Sequence, residues 1–245
     1  MTSARRVQDG FPAADGEPQA DAVAAGAGLV VPGRAWFARD VHVVAHDLLG
    51  ALLTRRTPDG AVTVRLTEVE AYAGTADPGS HAYRGETARN RTMFGEPGRV
   101  YVYRHLGLHH CMNVVCSPPG EASAVLLRAG EVVEGADLAR ERRAAAGVTR
   151  SDVDLARGPA RLTVALAIDR DDDGADVTDP GGALVLRVPR PRDRTDGAGR
   201  EVATGPRVGV SGEGGRADLF PWRAWLAGEP TVSAYRAAES RRRRR

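Results

Sequence analysis

The sequence predicts an α+β domain built on a mainly antiparallel sheet, and three observations carry that prediction. Ala61 to Tyr72 alternates, with Val64, Leu66, Glu68, Glu70 and Tyr72 on one face and Arg65, Thr67, Val69 and Ala71 on the other, the two-residue period of a strand. Arg99 to Tyr103 and Cys111 to Val115 form two strand-like runs joined by a short connection around Gly107, which reads as a hairpin with Leu106 at its tip. Strand and helix signals then mix without the regular strand–helix–strand alternation of a parallel sheet.

In chain order, residues 1–33 are rich in Ala, Gly, Asp and Pro and have no period, so they cannot bury enough apolar area to offset their ordering entropy and are expected to be a disordered tail. Order is expected from Trp36-Phe37 onward. Asp40 is placed to cap a helix that carries Val41, Val44, Leu48, Leu49 and Leu52 on one side. A polar loop, 74–91, follows the first strand and leads into the hairpin. Ala124 to Leu127 and Ala183 to Val188 supply further strands; 134–146 and 159–168 supply helices. Residues 189–199 read as a charged loop, and 237–245 as an Arg-rich tail that frays, leaving one domain over 34–236.

The apolar and charged fractions, 42% and 27%, are those of an ordinary folded domain. The formal charge of +2 argues nothing about nucleic acid, because Arg241 to Arg245 supply five positive charges and the rest of the chain is net acidic. A phosphate-binding surface would have to be local. There is no Lys, which removes the side-chain amine from the available nucleophiles. Two cysteines, Cys111 and Cys116, are too few for a disulfide scaffold. No apolar run reaches membrane-spanning length and the first residues lack a secretory core, so the chain reads as cytoplasmic, with no membrane partner.

Chemistry concentrates on Thr67-Glu68-Val69-Glu70-Ala71-Tyr72. A carboxylate in an otherwise apolar strand is costly unless paired, so it is either functional or on a solvated edge. Two metal-like patterns are weaker. His109-His110-Cys111 with Cys116 lacks the spacing of a zinc knuckle, and the acidic run from Asp169 to Gly174 has Pro180 where a calcium loop needs its bidentate Glu. Neither a metal nor another cofactor is expected.

Around this strand the sequence resembles the alkyladenine (3-methyladenine) DNA glycosylase family. The resemblance rests on Glu68-Val69-Glu70-Ala71-Tyr72, His81, Ala88-Arg89-Asn90-Arg91-Thr92-Met93-Phe94, Tyr101-Val102-Tyr103, Cys111-Met112-Asn113, Val125-Leu126-Leu127-Arg128-Ala129 and Pro206-Arg207-Val208-Gly209, in order and in register. It implies a curved sheet whose protruding hairpin enters the DNA minor groove, and a monofunctional enzyme that releases alkylated or deaminated purines from double-stranded DNA. Glu70 would then activate the attacking water, with Arg128 and the carbonyl of Val208 holding that water. Tyr72, His81 and Tyr103 would wall the base pocket, and Asn113 would crowd the guanine 2-amino group. Leu106 would wedge into the space left by the flipped nucleotide, where some members carry Tyr. Arg89, Arg91, Met93 and Arg104 would meet DNA. The protein is expected to act as a monomer in the cytoplasm, associated with the nucleoid.

Two other readings remain open at this level. Glu68 and Glu70 are spaced for the carboxylate pair of an inverting carbohydrate glycosidase, although no Trp lies near the strand. A damage-recognising DNA-binding module without catalysis is the other, and the presence of both Glu70 and Arg128 weighs against it.

Overall fold

A computed structural model describes residues 28–105, 107–189 and 201–238. Its architecture is α+β, a single open sheet in which every pairing is antiparallel, flanked by short helices. The long strand organises it. β3 (Gly60–Tyr72) pairs along most of its length with β6 (Ser123–Glu134). On its other side its first half pairs with β2 (Leu52–Thr57) and its second half with β10 (Arg223–Leu226). Beyond β2 lie β8 (Leu184–Pro189) and β1 (Leu29–Val30); beyond β6 lie β5 (His109–Cys116) and β4 (Val100–His105). β9 (Val202–Gly205) adds to β10, and β7 (Ala156–Arg157) to β6. Helices α1 (Arg34–Phe37), α2 (Val41–Asp47), α3 (Ala136–Ala146) and α4 (Pro159–Ala165) contribute Phe37, Val44, Ala139 and Leu162 to the core that also takes Val62, Val64 and Leu66 from β3.

Several elements begin or end away from their expected places. Asp40 does cap α2, its carboxylate accepting from the amides of His42 (2.9 Å) and Val43 (3.3 Å). The helix stops at Asp47, however; Gly50, at φ +83°, turns the chain, and Leu52 opens a strand instead of continuing the helix. Leu29 and Val30, which composition assigns to the tail, pair with Pro189 and Val188 at the sheet edge. The two strands of the expected hairpin pair antiparallel, with Tyr103 opposite Cys111 and His105 opposite His109; Leu106, expected at the tip, lies outside the described residues. The acidic run at Asp169 has a structural task. Asp173 accepts from the Val102 amide (2.9 Å) and Thr92 Oγ1 (3.1 Å), and Arg170 donates to the Val102 carbonyl, so this loop covers the open edge of β4.

The strict alternation expected of β3 breaks in its middle, and the break sets up the site. Leu66 lies opposite Gly130, Glu68 opposite Ala129 and Val69 opposite Leu127. Thr67 on β3 and Arg128 on β6 are therefore each one residue too many for their partner strand, two consecutive irregularities of the β-bulge type. The phase flips: Val62, Val64 and Leu66 face the main core, and so do Val69 and Ala71. Thr67 and Glu68, although adjacent, both reach the segment 229–233 through Thr231 and Ser233. Without the bulge, Glu68, Glu70 and Tyr72 would share the core face with Leu66.

Gly130, opposite Leu66 beside these bulges, has no room for a side chain. A Cβ there would lie 2.3 Å from Val64 Cγ1 and 2.5 Å from the Arg65 carbonyl oxygen. Gly130→Ala is expected to cost about 1–3 kcal/mol of stability through overpacking, read as a lower denaturant midpoint at unchanged m-value.

Candidate active site

Two carboxylates leave the second half of β3 on the side away from the main core, both with no exposed surface. Their surroundings differ. Glu68 is saturated: Oε1 accepts from Arg128 Nε (2.8 Å), Arg223 Nε (2.7 Å) and Ser233 Oγ (2.9 Å), and Oε2 from the Ser233 amide (2.7 Å). Burial alone would raise its pKa, but the Arg128 and Arg223 charges and the Ser233 hydrogen bonds outweigh burial and hold it below the ordinary carboxylate value. Glu70 lines a cavity of about 430 Å³. Its Oε1 lies 3.1 Å from Arg128 Nη1 and accepts from the Val208 amide (2.7 Å); its Oε2 accepts from the Tyr72 hydroxyl (2.8 Å).

Arg128 bridges the two acids because its bulge frees it from a strand partner and its planar fork presents Nε to Glu68 and Nη1 to Glu70. Burial would lower its pKa; Glu70 and Glu68 together outweigh that and raise it.

A second buried pair holds the cavity's other wall. Asp77 and Arg207 have fully buried side chains and bond through both carboxylate oxygens (2.5 and 2.7 Å), while Arg207 also donates to the carbonyls of Ala71 and Gly214. Its guanidinium sits 4.5 Å from the centroid of the Tyr72 ring. Arg207 therefore ties the end of β3 to the loop that presents the Val208 amide to Glu70.

The remaining cavity walls are aromatic. Tyr103 stacks on Tyr101 (5.6 Å between centroids) and meets the His81 ring edge-on at 4.5 Å, while His81 Nδ1 lies 3.1 Å from the Tyr101 hydroxyl. Burial, with Arg89 and His105 adding to it, lowers the His81 pKa and favours the neutral ring. Burial raises both the Tyr72 and the Tyr103 phenols, which stay protonated. Asn113 is fixed by donating to the Tyr101 carbonyl (3.0 Å).

The structure thus brings together on one cavity Glu70, Arg128 and Val208 with Tyr72, His81, Tyr103 and Asn113. The residues expected to touch DNA divide. Arg89, Arg91 and Arg104 are exposed, Arg91 lying 3.3 Å from Glu86. Met93 does not stand with them: it is 2% exposed, packs with Tyr101 and Ala82, and lines the cavity. Sequence reasoning missed Asp77, Arg223 and Ser233, whose partners lie 130–165 residues away, and passed over Arg207 although it sits inside the Pro206-Arg207-Val208-Gly209 run. Among the described residues, no three His, Cys, Asp or Glu side chains converge as metal ligands.

Residues 35–230 match the family described as methylpurine-DNA glycosylase. The chain belongs to that family. It is 58% identical over 214 residues to a protein of Streptomyces avermitilis, covering 86% of this chain and 94% of that one. It is 55% identical over 210 residues to one of Leifsonia xyli (85% and 94%), and 45% identical over 205 residues to one of Mycobacterium tuberculosis (82% and 92%). All three carry the name "Putative 3-methyladenine DNA glycosylase". The span matched to the methylpurine-DNA glycosylase family includes every residue that lines the cavity.

Two outcomes follow from the buried charges. Asp77→Asn leaves Arg207 uncompensated where water cannot reach it, and unfolding measurements should show a loss of about 3–5 kcal/mol. The depressed Glu68 carboxyl contributes stability that is fully present above its ordinary pKa of 4.5 and lost as pH falls through its lower folded value. Wild-type stability should therefore fall on acidification below about pH 4.5, and Glu68→Gln should be less stable at neutral pH with a flatter acid limb.

Proposed function

We propose that the protein is a monofunctional DNA glycosylase that flips an alkylated or deaminated purine out of duplex DNA and hydrolyses its N-glycosidic bond. The observation that carries this reading is Glu70, a carboxylate without exposed surface, held by Arg128, the Val208 amide and the Tyr72 hydroxyl at the wall of an aromatic cavity. A purine stacked in a duplex reaches such a cavity only by rotating out, and the Tyr72, Tyr103 and His81 rings replace the stacking it gives up. A neutral His81 adds no charge against a cationic alkylpurine. As the base departs, the sugar carbon becomes oxocarbenium-like; Glu70 stabilises that charge and takes the proton of the attacking water, which Arg128 and the Val208 carbonyl orient. Asn113, held in place by its hydrogen bond to the Tyr101 carbonyl, crowds the 2-amino group of an intact guanine and so disfavours that base by steric exclusion. Leu106 fills the vacated stack as an apolar wedge, and Arg89, Arg91 and Arg104 meet the backbone. The enzyme acts as a monomer on nucleoid DNA in the cytoplasm.

With no Lys in the chain, water rather than a side-chain amine is the nucleophile, so the product is an abasic site in an uncut strand. The carbohydrate-glycosidase reading loses its second carboxylate, because Glu68 has both oxygens occupied and does not line the cavity.

The test is to incubate wild type and Glu70→Gln with duplexes holding one hypoxanthine or one alkylated purine, assaying free base, abasic sites and nicks. Wild type should release base without nicking before alkali, and Glu70→Gln should be slower by roughly 10²–10⁴-fold. Equal release by both proteins removes Glu70 from the mechanism. No release by wild type across several lesions favours the binding module.

A further inference from the structure

One buried arginine is built into the fold without an ion-pair partner among the described residues. Arg143 on α3 is 6% exposed, makes no hydrogen bond or ion pair among the described residues, and has its Nε enclosed without a partner. Burial, and after it the Arg161 charge, lower its pKa, and Asp154 offsets only part of that. Asp154 is already shared: Arg161 Nη1 lies 2.9 Å from it and Arg157 Nη1 4.0 Å. The next acid, Asp152, is taken by Arg140 through both oxygens at 2.7 and 2.8 Å. Two guanidinium groups thus share the Asp154 carboxylate, and no carboxylate is left within ion-pair distance of Arg143 among the described residues. A charge immobilised this way, with most of its ordering cost met during folding, suits a ligand that brings negative charge from outside.

The cluster's position says what that ligand is. Arg157, in β7, pairs across from Ala129, the residue after Arg128. Arg161 is on α4, whose first residue, Pro159, lines the cavity. α4 is in turn fastened to the hairpin side of the sheet by Thr163 Oγ1, which donates to the His110 carbonyl (3.1 Å). Arg161 and Arg157 therefore stand next to wall residues of the cavity that would receive a flipped purine, where the phosphates flanking that nucleotide would run.

We propose that Arg143, Arg157 and Arg161 form a phosphodiester-binding site that grips the DNA backbone beside the cavity. This rests on the reading that duplex DNA is the partner. The probe is an undamaged duplex, on which no base is released, titrated with the full chain over a range of salt concentrations. Arg161→Gln and Arg143→Gln should each weaken binding several-fold and lower the slope of log affinity against log salt by about 0.9 for each phosphate the variant no longer neutralises. Arg161 is partly exposed, so its variant keeps the test readable should Arg143→Gln fail to fold. Unchanged affinity and slope in Arg161→Gln and in a folded Arg143→Gln overturn the proposal. Thermal stabilisation by inorganic phosphate that Arg143→Gln abolishes, with an unchanged DNA slope, also overturns it, since the site then takes a free anion. A wild type that shows the Arg-dependent slope but releases no base sinks the glycosylase reading and leaves this one standing; base release with an unaltered slope does the reverse.

Discussion

The bridging of Glu68 and Glu70 by Arg128 is the constraint on which the rest of this molecule is arranged. Two carboxylates at i and i+2 on a strand, both without exposed surface, would repel each other and forfeit their hydration, a cost that needs positive partners to offset it. Arg128 lies 2.8 Å from one and 3.1 Å from the other, and Arg223 adds a second positive charge on Glu68, so two acids and two bases balance. A Lys ammonium carries all its donors on one nitrogen, whereas the Arg128 fork meets the two carboxylates with two different nitrogens held in a fixed plane. The division of labour follows from saturation: Glu68 has all its neighbours supplied by protein, while Glu70 keeps a side toward the cavity.

This arrangement depends on backbone geometry before it depends on charge. A regular β3 would carry Glu68, Glu70 and Tyr72 on the face of Val62, Val64 and Leu66, inside the hydrophobic core. The extra residue at Thr67 turns them to the opposite face, and the extra residue on β6, Arg128, is the one whose side chain then fills the space between the two acids. Tyr72 links this network to the Asp77–Arg207 pair, with its hydroxyl on Glu70 and its ring against Arg207. The aromatic wall and the carboxylate are thus parts of one hydrogen-bonded unit, and a displacement of either is felt by the other.

That dependence explains what the sequence disclosed and what it withheld. The alternation of 61–72 is visible as a pattern because apolar and polar residues do alternate, yet its phase change is not, since a bulge is defined by the partner strand and β6 is about 60 residues away. The helix at Val41 is legible from its Asp40 cap, while its end is not, because Leu48, Leu49 and Leu52 continue the helical spacing across a turn that only the φ of Gly50 reveals. β9 and β10 are four residues each, too short for periodicity to register. At the site, Glu70 is a suspect from local pattern, and the resemblance supplies its company. Asp77, Arg223 and Ser233 carry no local signal at all: what they do is decided entirely by long-range contacts.

The distribution of charge completes the physical picture. Around the cavity, Glu68, Glu70 and Asp77 are matched by Arg128, Arg207 and Arg223, so the interior is neutral overall and does not draw in a ligand by net charge. Discrimination there must come from shape, stacking and hydrogen bonding. Outside the cavity, Arg157 and Arg161 share the single carboxylate of Asp154, Arg143 has no ion-pair partner among the described residues, and Arg89 and Arg104 are exposed. Phosphates are the same at every position of a strand and are best met by long-range attraction, which carries no sequence information; a single altered base is best judged where long-range attraction is cancelled. On the proposed reading, a chain whose total charge is close to zero meets both requirements by placing them on different parts of its surface.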